Sequence, residues 1–129
     1  MRALLDTSVF IAREQGRPLG ELPDEVAVSV VTISELRYGV LAAVDYETRA
    51  LRLSTLEAAG SLGAPLVVDE PVGDELARLR VALKAIGRSM KVMDAWIAAT
   101  AIAHEAAVCT QDADFDAARD AGLLEVVAV

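Results

Sequence analysis

Short, mostly apolar runs alternate along this chain with longer stretches whose apolar positions recur every three or four residues. Ala3-Leu4-Leu5, Val26–Val31, Leu66-Val67-Val68, Ala106–Thr110 and Leu123–Val127 are runs of the first kind, and they predict five short buried strands. The stretches between them predict helices over 8–14, from Thr32 onward, over 46–61, from Pro71 to Gly87, over 92–103 and over 114–121. Ile33, Leu36 and Val40 share one face of the second helix, and Leu76, Leu79, Leu83 and Ile86 form the stripe of the fourth. Gly16–Pro23, Gly63, Pro65 and Gly122 punctuate the pattern. Strands that alternate with helices imply a mostly parallel sheet covered on both faces, an α/β/α sandwich of three layers.

The composition fits that reading. Apolar residues make up 54% of 129 residues, enough to bury one core and too many for a disordered chain. One domain over residues 1–129 is expected. Aromatics are only 4%, so Ala, Val, Leu and Ile build the core, and any binding that stacks bases on aromatic platforms is disfavoured. The single cysteine, Cys109, lies in an apolar run and reads as a small core residue. No run reaches the ~18 apolar residues of a membrane span. Asp6 interrupts the first run before a signal-peptide core forms, so the expected location is the cytoplasm.

Candidate chemistry stands at the element boundaries. Asp6 follows the first strand, with Thr7 and Ser8 behind it. It reads either as a helix cap or as an acid at the carboxyl edge of the sheet, where open α/β folds bind ligands. Thr32 and Glu35 have the spacing of a capping box, which competes with any ligand role for Glu35. Asp94 lies in the first turn of a nearly all-apolar helix, in which Met93 and Trp96 read as core, and His104 reads as its C-terminal residue. Asp112 and Asp114 follow the strand that ends near Thr110.

The net charge of −8 argues against nucleic acid taken as a whole. Residues 76–93 break the trend, carrying Arg78, Arg80, Lys84, Arg88 and Lys91 and no acid. Arg80, Lys84 and Arg88 recur every four residues along one helix edge, either as a solvated face or as a patch that neutralises phosphates.

In a parallel sheet all the strand C-termini meet one rim, so the topology allows Asp6, Glu35, Asp94 and Asp112 to converge. Clustered carboxylates cannot all ionise without a partner, and a hard divalent cation such as Mg²⁺ supplies one. The chemistry implied is hydrolysis of a phosphodiester. Asp6-Thr7-Ser8, Thr32-Ile33-Ser34-Glu35-Leu36, Met93–Thr100 and Thr110-Gln111-Asp112-Ala113-Asp114-Phe115 together resemble the motifs of PIN-domain ribonucleases. The small size is similar to that of VapC-type toxins from toxin–antitoxin pairs. That resemblance spans essentially the whole chain.

The resemblance implies that Asp6, Glu35, Asp94 and Asp112 bind Mg²⁺ or Mn²⁺. Either Asp112 or Asp114 is the fourth ligand, with Asp112 favoured and Asp114 assisting. Thr110 and Thr7 or Ser8 would orient the acids. Independently of the resemblance, the basic helix edge preceding Asp94 suggests that Arg80, Lys84, Arg88 and Lys91 would contact RNA phosphates. The family further implies cleavage of structured RNA such as tRNA or rRNA, a homodimer, and a VapB-type antitoxin laying a segment across the acidic rim.

Rival chemistries fit less well. An aspartyl nucleophile at Asp6 wants a second acid two residues on, where Ser8 stands. A metal-dependent adhesion or interaction module wants a hydroxyl where Phe10 stands. A serine or cysteine triad lacks an acid partner for His104 and a nucleophile elbow. A PIN-like binding protein without catalysis remains an alternative.

Overall fold

The computed structural model describes residues 2–129; Met1, which opens the first apolar run, lies outside them. Strands β1 (Arg2–Leu5), β2 (Glu25–Ala27), β3 (Ala107–Thr110) and β4 (Val126–Ala128) form one sheet in the order β2-β1-β3-β4. Every neighbouring pair is parallel. Helices α1 (Thr7–Glu14), α2 (Val30–Ala42), α3 (Tyr46–Gly60), α4 (Glu70–Ala85), α5 (Val92–Ala103) and α6 (Asp116–Asp120) connect and cover it. Among the described residues, no helix is long and apolar enough to cross a membrane.

The period-two alternation of the central strands divides the core into two halves. Leu4 and Val108 face a cluster built on Leu79, Leu83, Ile97, Ala98, Ala101 and Phe115, from α4, α5 and the turn before α6. Ala3, Leu5, Ala107 and Cys109 point the other way, onto Val9, Phe10, Leu36 and Leu56 from α1, α2 and α3. The expected three layers are therefore present, with Cys109 fully buried among small apolar neighbours.

The connections set the location of the site. From β1 the chain crosses to β2 on one side, whereas from β3 it crosses to β4 on the other. The crossovers diverge between β1 and β3, and a crevice forms outside the carboxyl ends of strands at such a switch point. Leu5 pairs with Cys109, and the Asp6 N–H donates to the Cys109 carbonyl at 3.1 Å. Asp6 and Thr110 are thereby fixed side by side.

Several boundaries differ from expectation. The second strand stops at Ala27 rather than Val31, because Ser29 caps α2: its hydroxyl accepts the Thr32 N–H at 3.1 Å. That local bond overrides the β preference of Val30 and Val31. Thr32 is consequently inside the helix, and the expected Thr32–Glu35 capping box does not form. The run at Leu66 contributes one parallel bridge to Ser29, and Val67 and Val68 are exposed. Pro65 before this segment and the Asp69 cap of α4 after it leave no length for a strand. The last helix is shorter than the expected 114–121, and the last strand begins at Val126 rather than Leu123. Ile86 leaves the apolar stripe and is exposed, because Gly87 turns the chain out of α4 with φ of 67°.

These assignments predict that Ser29→Ala lowers unfolding stability in urea by about 1 kcal/mol, the usual cost of a lost cap. Glu35→Ala, which would destroy a Thr32–Glu35 capping box, should leave stability unchanged or raise it. The reverse order would reinstate Thr32 as the cap.

Candidate metal centre

Asp6 is the residue before α1, yet its side chain caps nothing. Its carboxylate turns instead toward two hydroxyls. Ser8 Oγ donates to Oδ1 at 2.5 Å and Thr110 Oγ1 donates to Oδ2 at 2.9 Å. The Gln111 N–H donates to Ser8 Oγ at 2.9 Å, so the serine hydroxyl has its proton committed to Asp6. Asp6 is 4% exposed. Burial pushes its carboxyl from 3.8 up to about 6; the Ser8 and Thr110 hydroxyls pull the other way and the Asp112 charge adds to the rise.

With Ser29 as the cap, Glu35 lies in the second turn of α2 and is free of the helix end. Thr7 Oγ1 reaches across from α1 and donates to its Oε1 at 2.7 Å. Asp94, in the first turn of α5, is half-buried. Burial is the main reason its carboxyl rises to about 6, followed by the charges of Asp114, Glu35, Asp6 and Asp112. Asp112 is partly engaged by its own loop, where Oδ1 accepts the Asp114 N–H at 3.0 Å and lies 3.2 Å from the Thr110 hydroxyl, whose one proton goes to the nearer Asp6.

Asp6, Glu35, Asp94, Asp112 and Asp114 line one cavity of about 330 Å³ with Thr7, Ser8 and Lys91. The acids come from four separate segments, as the sheet topology allows. They line the wall of the cavity, and among the described residues no three His, Cys, Asp or Glu are grouped closely enough to hold an ion as they stand. Mutual repulsion favours such a spread arrangement. The donor set consists of carboxylate and hydroxyl oxygens, with no His or Cys, which suits Mg²⁺ or Mn²⁺ and not a softer ion.

The remaining candidates divide between two places. Lys91 lines the acidic cavity, whereas Arg80, Lys84 and Arg88 line a second one between α4 and α5. Arg88 is paired with Asp120 at 2.8 Å. Met93, expected in the core, is 42% exposed, and Trp96 is partly buried against the core edge. His104 ends α5 as expected. Two supporting residues were not legible in the sequence. Gln111 ties the site loop to the α1–β2 loop and to the last residue, its side-chain amide donating to the Pro18 carbonyl at 3.2 Å and to the Val129 carbonyl. Ser29 frees Glu35, but Ser29-x-x-Thr32 lacks the Glu or Gln that marks a capping box.

The profile of the PIN domain family matches residues 3–121. The chain belongs to the PIN-domain family. It is homologous to VapC-type ribonuclease toxins of toxin–antitoxin systems. It is 48% identical to ribonuclease VapC5 of Mycobacterium tuberculosis over 128 residues, covering 98% of this chain and 94% of that one. Identity to ribonuclease VapC4 of the same organism is 45% over 127 residues, covering 97% of each. The crystal structure of VapBC-5 from M. tuberculosis, a member of the VapBC family of toxin–antitoxin systems, superposes with a TM-score of 0.89 at 45% identity, covering 99% of this chain and 98% of that one. FitAcB from Neisseria gonorrhoeae gives a TM-score of 0.76 at 32% identity, covering 97% and 96%.

In this PIN domain, the raised acids of the cavity set the sign of a stability effect. A carboxyl whose folded pKa exceeds its unfolded value stabilises the fold fully below the unfolded pKa, and that stability is lost as pH rises through the folded one. In EDTA, the contribution of Asp6 and Asp94 should therefore fall between about pH 4 and pH 6. Asp6→Asn should flatten that fall, and millimolar Mg²⁺ at pH 7 should raise the melting temperature by binding linkage. Melting curves with no Asp6-dependent slope and no response to Mg²⁺ or Mn²⁺ would count against a cation site.

Proposed function

We propose that this PIN domain is a metal-dependent endoribonuclease that hydrolyses RNA phosphodiester bonds as the toxin of a type II toxin–antitoxin pair. The observation that carries the reading is the gathering of Asp6, Glu35, Asp94, Asp112 and Asp114 around one cavity at the switch point of the sheet. The similarity to ribonucleases VapC5 and VapC4 supports it.

Asp6, Glu35, Asp94 and Asp112 would hold Mg²⁺ or Mn²⁺. Asp112 spends Oδ1 within its loop and keeps Oδ2 for the ion, and Asp114 bears most strongly on Asp94 among the surrounding charges. We assign Asp114 to the site in a supporting place. When bound, such an ion supplies polarisation of phosphoryl oxygens and a lowered pKa for an attacking water. The chain's own hydroxyls do the orienting. Ser8 and Thr110 hold Asp6, and Thr7 holds Glu35, each by donating to a carboxylate oxygen. Lys91 brings one positive charge to the same cavity and meets a phosphate of the RNA there. Arg80, Lys84 and Arg88 take neighbouring phosphates.

The substrate class is structured RNA, such as tRNA or rRNA. Similarity to the VapBC-5 assembly supports an antitoxin partner of VapB type, its segment laid across the acidic rim. The exposed apolar side chains Tyr38, Leu41, Val44 and Tyr46, where α2 passes into α3, offer surface for a protein partner and for a homodimer. A second reading, a PIN-like binding protein without catalysis, is favoured by the spread placement of the acids.

Cleavage separates the two. Asp6→Asn and Asp94→Asn, assayed on folded RNA with Mg²⁺, should each lose roughly a hundredfold or more, beyond what groups merely supporting a metal ligand cost. EDTA should abolish activity, and products should carry 5′-phosphates. Cleavage indifferent to EDTA and to both substitutions would reject the metal mechanism; no cleavage by the unaltered chain would favour the binding protein.

A further inference from the structure

The second cavity, about 690 Å³, opens between the C-terminal half of α4 and the first turns of α5. Its floor is apolar, formed by Leu76, Leu83, Met90 and Trp96, and its rim carries Arg80 and Lys84. No acid lines it, in a chain whose net charge is −8. Among the described residues Arg80 and Lys84 have no ion-pair partner, whereas Arg88 beside them is held by Asp120. An apolar floor with a basic rim matches a ligand that is flat and apolar on its faces and negative along one edge. A nucleotide has that character, and the volume lies within the range of small-ligand pockets, roughly 300–1,000 Å³.

The groove also continues from the acidic cavity. Val92 lines both, and a third cavity between them is lined by Met90 and Lys91 on one side and by Asp94 and Asp114 on the other. A strand whose scissile phosphate lies among the acids is therefore led along the α4–α5 connection into the groove. A paired base has no free face to offer there, whereas unpaired bases splay out and stack on aromatic side chains.

We propose that this groove is a nucleobase subsite: an unpaired base flanking the scissile phosphate lies against Trp96, while Arg80 and Lys84 hold the phosphates next to it. The inference rests on the nuclease reading above and adds to it a place for one base beside the cut. It also assigns a task to the chain's sole tryptophan, in a protein with few aromatics to stack on.

Trp96 reports on its own occupancy, since it alone supplies the indole fluorescence. The intact chain in EDTA is titrated at low salt with a decamer of oligouridylate and with an abasic ribose-phosphate decamer of the same length and charge. The base-bearing strand should quench Trp96 and bind about tenfold more tightly, the scale of one base stacked on an aromatic side chain. Trp96→Leu should level the two affinities. Ser89→Phe, at an exposed position on the rim, should do the same by filling the groove, which keeps the test decisive if the tryptophan variant does not fold. Arg80→Ala with Lys84→Ala should weaken both strands alike and flatten the salt dependence. Equal affinity for the two strands, or binding that leaves the fluorescence unchanged, overturns the subsite, as does binding of neither. A fluorescence change that follows protein concentration without RNA, with a matching rise in sedimentation, assigns the groove to a second copy of this chain instead. In each of these cases, Mg²⁺-dependent cleavage of folded RNA that Asp94→Asn abolishes leaves the nuclease reading intact; absence of such cleavage removes that reading separately.

Discussion

A carboxylate removed from water must be compensated by hydrogen bonds, a cation or a proton. Asp6 is nearly buried at the end of a central strand, and the fold gives it the first of these through Ser8 and Thr110. The Ser8 bond is local, but the Thr110 bond depends on the parallel register of β1 and β3, because only that pairing brings Thr110 beside a residue more than a hundred positions earlier. The cavity wall is built outward from this point. Thr7, next in sequence, secures Glu35, and the loop that begins at Thr110 delivers Asp112 and Asp114. The hydroxyls fix position but leave the negative charge, and Asp94 feels four neighbouring acids at once. Lys91 brings one positive charge to the same cavity, and the proposed divalent cation would compensate the rest.

How far the sequence announces this can be judged residue by residue. Strong patterns are legible: the β1 and β3 runs, the apolar α5 and the stripe through Leu79 and Leu83 lie where periodicity places them. The acids at element boundaries are legible for the same reason, since α/β alternation puts strand ends on one rim. Local competition is harder to read. Val28 to Val31 reads as strand by composition, but one Ser29 hydroxyl captures the Thr32 N–H and converts its second half to helix. The same bond decides Glu35, which a capping box would have folded back on the helix end. Gln111 escapes notice because its partners, Ser8, Pro18 and Val129, are remote in sequence and two of them are backbone carbonyls.

Charge is also distributed in a way that the total hides. The acids of the cavity and the cations of α4 and its following turn belong to adjoining surfaces linked through Lys91 and Val92. A polyanion meets attraction along one surface and, without a cation, repulsion at the other. On the proposed reading, metal binding and RNA binding would be coupled electrostatically: each positive charge placed among the acids would remove a barrier to an entering phosphate. Such coupling would give an acidic protein a route to the proposed RNA substrate.

The central claim is that these carboxylates jointly take up a divalent cation. Titration of Mn²⁺ into the intact chain, with free ion read by its paramagnetic resonance signal, tests it most directly. The account predicts saturable binding at pH 7 that weakens by about tenfold or more in Asp6→Asn and in Asp94→Asn, as loss of a coordinating or supporting group does. Weak, unsaturable binding in the unaltered chain, or identical affinity in all three proteins, would contradict it.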